Sequence, residues 1–334
     1  MESLAQGIEQ NEKWQDESLF ASLADAGPNC YPLPEQAMGM PKGFSSDNHW
    51  IIVDKTYPTQ ISERIRLLEN HSDLLIARMD GEDVARAEKE LLSHVASYLL
   101  NHYEGYFEQK GNRLTCRLTG ISVDFAKVTD PLKALSCLIT EDMVLLLSAE
   151  KAAEGHVCYR LKSGALLFPN DWGLVTVPND NETNTGLGKT SAEIHHGKVK
   201  HYDKNFAAGV EHWNEKLKAS LYLWRRNWGP HTSRSLCLHP RVMRESSPNN
   251  PEDWDQGFIR SEQQSFVKLP KSGAIVFGIK TYIWPLSDFF NNTATWHNLK
   301  TATENLPPDM VSYRESKLST FTNWLSKAQP QQPT

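Results

Sequence analysis

With 334 residues, 39% of them hydrophobic and 23% charged, the chain has the composition of a globular protein with ample side chains for a sizeable core. Its formal charge of −6 argues against a nucleic-acid partner, which calls for a basic face to displace counterions from phosphate, and no apolar run approaches the roughly twenty residues of a membrane span. The start, MESLAQGIEQNEKWQDE, is acidic and unlike a secretory signal. Cys30, Cys116, Cys137, Cys158 and Cys237 are dispersed, without the C-x-x-C pairs of zinc or iron-sulfur sites, so reduced thiols and a cytoplasmic location are expected.

Residues 1–43 are polar and rich in Pro and Gly. They read as a loosely ordered arm before a single domain over 44–327, with 328–334 as a frayed tail. Order is expected from Trp50, in a short apolar run through Asp54 that ends in a turn at Tyr57-Pro58. Ile61, Ile65 and Leu68 predict a modest helix over 60–69. The clearest helix runs from Gly81 to His102, with Val84, Ala87, Leu91, Val95 and Leu99 as its buried stripe. Asp130 reads as a cap with Pro131 at the first helical position, predicting a helix to about Thr140. The run Met143 to Leu147 suits a buried strand, although periodicity fits a helix equally.

Beyond it the pattern turns to strands. Tyr159 to Leu161 and Ala165 to Phe168 read as a hairpin turning at Lys162-Ser163-Gly164. Val177 to Thr190 reads as a surface loop, Val210 to Leu217 as an amphipathic helix, and Trp224 to Trp228 as the end of a strand followed by a loop-like stretch over 229–251. Two strands, Gly257 to Leu269 and Ala274 to Trp284, are joined by Pro270-Lys271-Ser272-Gly273. Thr295 to Asn305 and Lys317 to Lys327 look helical. Helices first, strands in the middle and helices last predict an α+β fold, its mostly antiparallel sheet covered by N- and C-terminal helices.

Strand alternation puts Arg260, Glu262 and Gln264 on one side with Phe258 and Phe266, and Arg225 with Asn227 opposite to Trp224, Arg226 and Trp228. This is either a polar patch let into an apolar wall or a solvated outer face with an Arg-Glu cross-pair. His195 and His196 could coordinate a metal through a neutral ring nitrogen, but His201 and Asp203, the nearest further candidates, match no zinc spacing. Gly188-Lys189-Thr190 ends like a phosphate loop, yet Thr183 stands where the first glycine belongs. No G-x-S-x-G occurs.

Several separated strings, in order, carry a resemblance: Trp50-Ile51-Ile52-Val53-Asp54 with Tyr57-Pro58 and Arg64-x-Arg66-Leu67-Leu68; Glu141-Asp142, then Phe168-Pro169-x-x-Trp172; Gly188-Lys189 with Ile194-His195; Arg225-x-Asn227-Trp228; Arg260-x-Glu262-x-Gln264 with Leu269-Pro270-x-x-Gly273; and Pro307-Pro308-x-Met310 with Tyr313. Over about residues 40 to 325 the chain resembles the haem-binding alpha subunit of the haem-dependent oxidative N-demethylases, also called dimethylamine monooxygenases.

The resemblance implies a PAS-like α+β fold holding one b-type haem (heme b). His195 is then the axial iron ligand, with His196 as the fallback, since a haem needs only one protein ligand. Arg260, Gln264 and Trp228 join the cofactor-binding set. Glu262 is the carboxylate for a small ammonium substrate, while Arg225, Asn227 and Arg260 bind propionates or polarise O2, roles the sequence does not separate. Oxidation at an N-methyl carbon would give a hemiaminal that falls apart to formaldehyde and the smaller amine. No Rossmann fingerprint or iron-sulfur cysteine set is present, so NADPH electrons would come through a separate flavin and iron-sulfur reductase, alongside a folate-binding subunit. After His195 the chain reads Gly197-Lys198-Val199-Lys200-His201 where relatives read something like P-V-P-G. Two other readings are a related haem oxygenase with a different nitrogenous substrate and a non-catalytic haem-binding PAS-like sensor.

Overall fold

Two antiparallel sheets and the helices packed on them form the computed structural model, which describes residues 5–10, 19, 21–24, 43–45, 50–151, 157–170, 172–175, 186–195, 210, 212–219, 221–245, 254–291, 293–305 and 315–328. In chain order the first elements are β1 Ile8–Gln10, β2 Gly43–Ser45, α1 Tyr57–Leu75, β3 Ile76–Arg78, α2 Glu82–His102, β4 Phe107–Lys110, β5 Arg113–Cys116, β6 Ile121–Asp124 and α3 Pro131–Leu138. Then follow β7 Asp142–Lys151, β8 Val157–Ala165, α4 Ser191–His195, β9 Tyr222–His231, α5 Pro240–Glu245, β10 Phe258–Lys268, β11 Ile275–Pro285, α6 Ser287–Phe290, α7 Thr293–Glu304 and α8 Glu315–Lys327. The small sheet has the order β1-β6-β5-β4 and the large one β2-β9-β10-β11-β7-β8-β3. Mixed helix and antiparallel strand is the α+β class expected.

Local chemistry explains several boundaries. The Asp130 side chain accepts hydrogen bonds from the backbone N–H groups of Leu132 at 3.1 Å and Lys133 at 3.2 Å, and Pro131 follows as a residue with no N–H to satisfy. Tyr57-Pro58, expected as a turn, instead opens α1, for the same reason that proline suits a first helical turn. Asp54 prepares that start by accepting from the Thr56 N–H at 2.9 Å and from its hydroxyl. The β10–β11 hairpin turns where expected, with Gly273 at φ +70.

The hairpin expected at Lys162-Ser163-Gly164 does not form. Those residues lie inside the single strand β8, paired along β7 with a bulge between Leu145 and Leu146. Gly164 serves close packing rather than a turn: a Cβ there would meet Val144 Cγ1 at 2.6 Å. Beside it the Ser163 hydroxyl is spent on Glu88 of α2. The loop-like stretch after Trp228 is also partly ordered, since β9 runs on to His231 and α5 follows. Within the expected N-terminal arm, Ile8–Gln10 pairs with β6, and Ile8 is buried.

The large sheet has two unlike faces. Alternation sends Met143, Leu145, Leu147, Val267 and Val276 to an inner face, into the main cluster with Ile61 of α1, Leu91 and Val95 of α2 and Leu135 of α3. At the other end of that face Trp228, Ile259, Tyr282 and Trp284 meet Phe289, Trp296, Leu299 and Phe321 of the C-terminal helices. Each fully buried aliphatic or aromatic side chain contributes about 1.5–3 kcal/mol. The outer face carries two smaller apolar clusters, one with Val144, Leu161, Leu166, Leu174 and Ile279, the other with Leu146, Tyr159, Leu217, Leu223 and Ile275.

Candidate functional site

The pairing of β9 with β10 sets Asn227 opposite Glu262 and Arg225 opposite Gln264, with Glu262 in turn opposite Thr281 on β11. All five side chains, with Arg260, therefore project from the outer face in the interior of the sheet. They are tied together. Arg225 Nε donates to Gln264 Oε1 at 2.7 Å, Gln264 Nε2 to Glu262 Oε2 at 3.1 Å, and Asn227 Nδ2 to the same carboxylate oxygen at 3.1 Å. Arg260 Nε reaches Glu262 Oε1 at 3.4 Å. The Glu262 side chain thus has three donors on it and is 14% exposed.

The strip is flanked along the strands by the two outer apolar clusters. Phe277 packs against both, Phe266 lies 4.7 Å from it between ring centroids, and Trp213 meets Phe266 edge-on at 5.3 Å. The alternative of a plain solvated face does not describe Arg260 and Gln264, which are buried. Trp228 does not join the group: it lies on the inner face among Trp254, Tyr282 and Trp284.

Helix α4 is brought to the same face by a capping box. The Thr190 N–H donates to Glu193 Oε2 at 2.8 Å while the Glu193 N–H donates to Thr190 Oγ1 at 3.2 Å. Arg160 of β8 fastens the box from the sheet, donating to Glu193 at 2.9 Å and to the Gly188 carbonyl at 3.0 Å. The Thr190 amide, followed by the Arg160 charge, holds the Glu193 carboxyl below its ordinary value. Thus Gly188-Lys189-Thr190, discounted as a phosphate loop, is a turn that leads into the short helix α4. Ile194 packs against the Val144–Leu161–Ile279 cluster, and α4 ends at His195. The His195 side chain and all of His196 lie outside what the structure describes.

Sequence reasoning missed Thr281 and the Phe168 and Leu236 carbonyls, all of which accept from Arg260. Alternation along β11 carried the signal for Thr281, two residues beyond Ile279 on the same face. Nothing in the sequence marked two main-chain carbonyls from distant segments.

A family model described as haem-dependent oxidative N-demethylase, alpha subunit-like, matches residues 43–320. The chain belongs to this family. At that level the demethylase-like chain is a haem-dependent oxidoreductase, and an alpha subunit-like member implies an oxygenase of more than one subunit. Among the described residues no helix is long and apolar enough to cross a membrane, and no group of three or more His, Cys, Asp or Glu residues is arranged to hold a metal ion. A haem requires only one such ligand.

Proposed function

We propose that this chain is the haem-binding, substrate-oxidising subunit of a monooxygenase that demethylates a small amine such as dimethylamine, on a PAS-like α+β scaffold. The observation that carries the reading is the Glu262 carboxylate, set with Arg225, Asn227 and Gln264 into an apolar wall that also anchors the helix ending at His195. The side chains present suit a haem in kind. The Phe266, Phe277 and Ile279 wall matches a flat apolar macrocycle, Arg225 and Gln264 offer partners for its carboxylates, and His195, with His196 next to it, supplies the imidazole. When bound, the haem supplies O2 activation, using electrons delivered one at a time.

The protein's own groups do the rest. Glu262 pairs with the substrate ammonium, and a charge pair on a half-buried strip is stronger than one in water. Asn227 and Gln264 hold the carboxylate on one side, which fixes where the amine sits and so which N-methyl carbon is presented. Insertion of one oxygen atom into that C–H bond, with the second leaving as water after two electrons and two protons, gives a hemiaminal that collapses to formaldehyde and the smaller amine. The electrons come from NADPH through a separate flavin and iron-sulfur reductase, and a folate-binding subunit takes up formaldehyde.

The test is an absorption spectrum of the purified chain loaded with haem, ferric and then reduced under carbon monoxide, followed by a formaldehyde assay with dimethylamine and an electron source. A haem spectrum with formaldehyde release supports the proposal. Haem binding without product transfers the case to another nitrogenous substrate or to the non-catalytic sensor, and a colourless protein ends it. His195→Ala is expected to lose haem; full occupancy in that variant refutes the ligand assignment.

A further inference from the structure

We propose that Arg260 is a positioning residue: it orients Glu262 toward an incoming ammonium and does not itself bind the anionic groups of a cofactor. The inference rests on the reading of Glu262 given above. Arg260 precedes Glu262 by two residues on β10, so the two side chains share a face and the guanidinium lies along the strand against the carboxylate, Nε to Oε1 at 3.4 Å. The rest of the fork points into protein. Nη1 donates to the Leu236 carbonyl at 3.0 Å, and Nη2 donates to the Phe168 carbonyl at 2.7 Å and to Thr281 Oγ1 at 3.4 Å.

With the Arg260 side chain 3% exposed, a propionate would have to displace these main-chain acceptors and leave them buried without donors. The two carbonyls belong to segments that are themselves joined, Leu238 N donating to Pro169 O at 3.0 Å and Asn170 bridging to Leu238. One buried cation therefore fastens two segments and steers one carboxylate. The consequence for Glu262 is a choice of oxygen. Among the described residues Oε2 accepts from both Asn227 and Gln264, filling its two lone pairs, while Oε1 accepts from Arg260 alone. The remaining acceptor direction is on Oε1, and Arg260 holds it.

The test uses the full chain loaded with ferric haem and dimethylammonium as the probe, its Kd read by calorimetry and haem occupancy by absorbance. Arg260→Lys keeps a charge but loses the fork. It is expected to weaken dimethylammonium binding about tenfold, the loss of one charge-assisted hydrogen bond, with haem occupancy unchanged. In a Glu262→Gln background the same substitution is expected to have no effect on the Kd, because it acts through that carboxylate. Loss of haem with the Kd intact in the loaded fraction assigns Arg260 to the cofactor and overturns the proposal. So does an affinity loss of equal size in both backgrounds, or a lowered Tm with neither Kd nor occupancy changed. Should Arg260→Lys fail to fold, Thr281→Val removes one acceptor of the fork; it is expected to give a smaller loss in the same direction, and an unchanged Kd there overturns the proposal equally. If Glu262→Gln alone leaves the Kd unchanged, the amine reading of Glu262 is what fails; if Glu262→Gln weakens binding and Arg260→Lys does not, the reading stands and this inference falls.

Discussion

Among the described residues, two of the polar groups set into the apolar fabric are built differently. At the start of β7, Asp142 pairs with Arg64 of α1 at 2.7 Å, with neither side chain exposed. Arg64 also donates to the Ser136 and Thr140 carbonyls, and Asp142 accepts from the Leu167 and Phe168 amides at 2.8 Å. Nearby, Lys280 donates to Thr140 Oγ1 at 2.6 Å, and Tyr282 donates to Asp54 at 2.8 Å. Burial pushes the Lys280 amine down and the Glu141 carboxyl up. On the outer face, by contrast, Arg225, Asn227, Glu262 and Gln264 are bonded to one another across two strands, and Arg225 and Asn227 are only half-buried. Side chains bonded to the main chain of distant elements hold a fold; those bonded to each other at a half-open face can exchange a contact for a ligand. Arg260, on the outer face but bonded inward, belongs by its contacts to the first kind.

The sharpest way to break this contrast is to remove one partner from each set. Arg64→Met leaves Asp142 buried without its cation and is expected to cost about 3–5 kcal/mol, read by urea denaturation; a loss under about 1 kcal/mol would place the pair among interactions that do not hold the fold. The close-packed part of the outer face is probed by Gly164→Ala. Its new Cβ would press on Val144 Cγ1 at 2.6 Å and the Met143 carbonyl at 3.1 Å, for an expected cost of about 1–3 kcal/mol. Glu262→Gln should shift stability by no more than about 1 kcal/mol while weakening dimethylammonium binding by roughly tenfold or more. Equal damage to stability from Glu262→Gln and Arg64→Met would erase the distinction between the two sets.

The smallest effect expected is an acid response of α4. Glu193 titrates below its ordinary 4.5 in the folded chain, so its capping contribution is fully present above that value and is lost as pH falls through the lower folded one. Hydrogen exchange of the α4 amides, corrected for intrinsic rates, should speed up over that acid window relative to the α2 amides. Glu193→Gln should remove the dependence, and an unchanged α4 profile in the native chain would show that the box does not govern this helix.

Much of the frame was legible. The stripe Val84 to Leu99, the Asp130-Pro131 start and the Gly273 turn are local signals, each set by residues within a few positions of one another. Four-residue strands such as β4 to β6 carry too few residues for a period to show, and Lys162-Ser163-Gly164 misled because a glycine that admits a neighbouring strand looks, in sequence, like one that makes a turn.

For the candidate site, the sequence determined which side chains of β9 and β10 share a face, since alternation is a property of any extended chain. The Thr190–Glu193 box ahead of Ile194-His195 is local too, yet the Asn- and Thr-rich run before it reads in the sequence as a surface loop through Thr190. Only the tertiary structure decided that the two strands pair in the register that sets Asn227 against Glu262, that Trp228 faces the other way into the C-terminal helices, and that Arg260 is spent on carbonyls 92 and 24 residues away in the chain. Those are contacts between segments with no local preference for one another, and burial of the two sheet faces selects among the registers the strands could adopt.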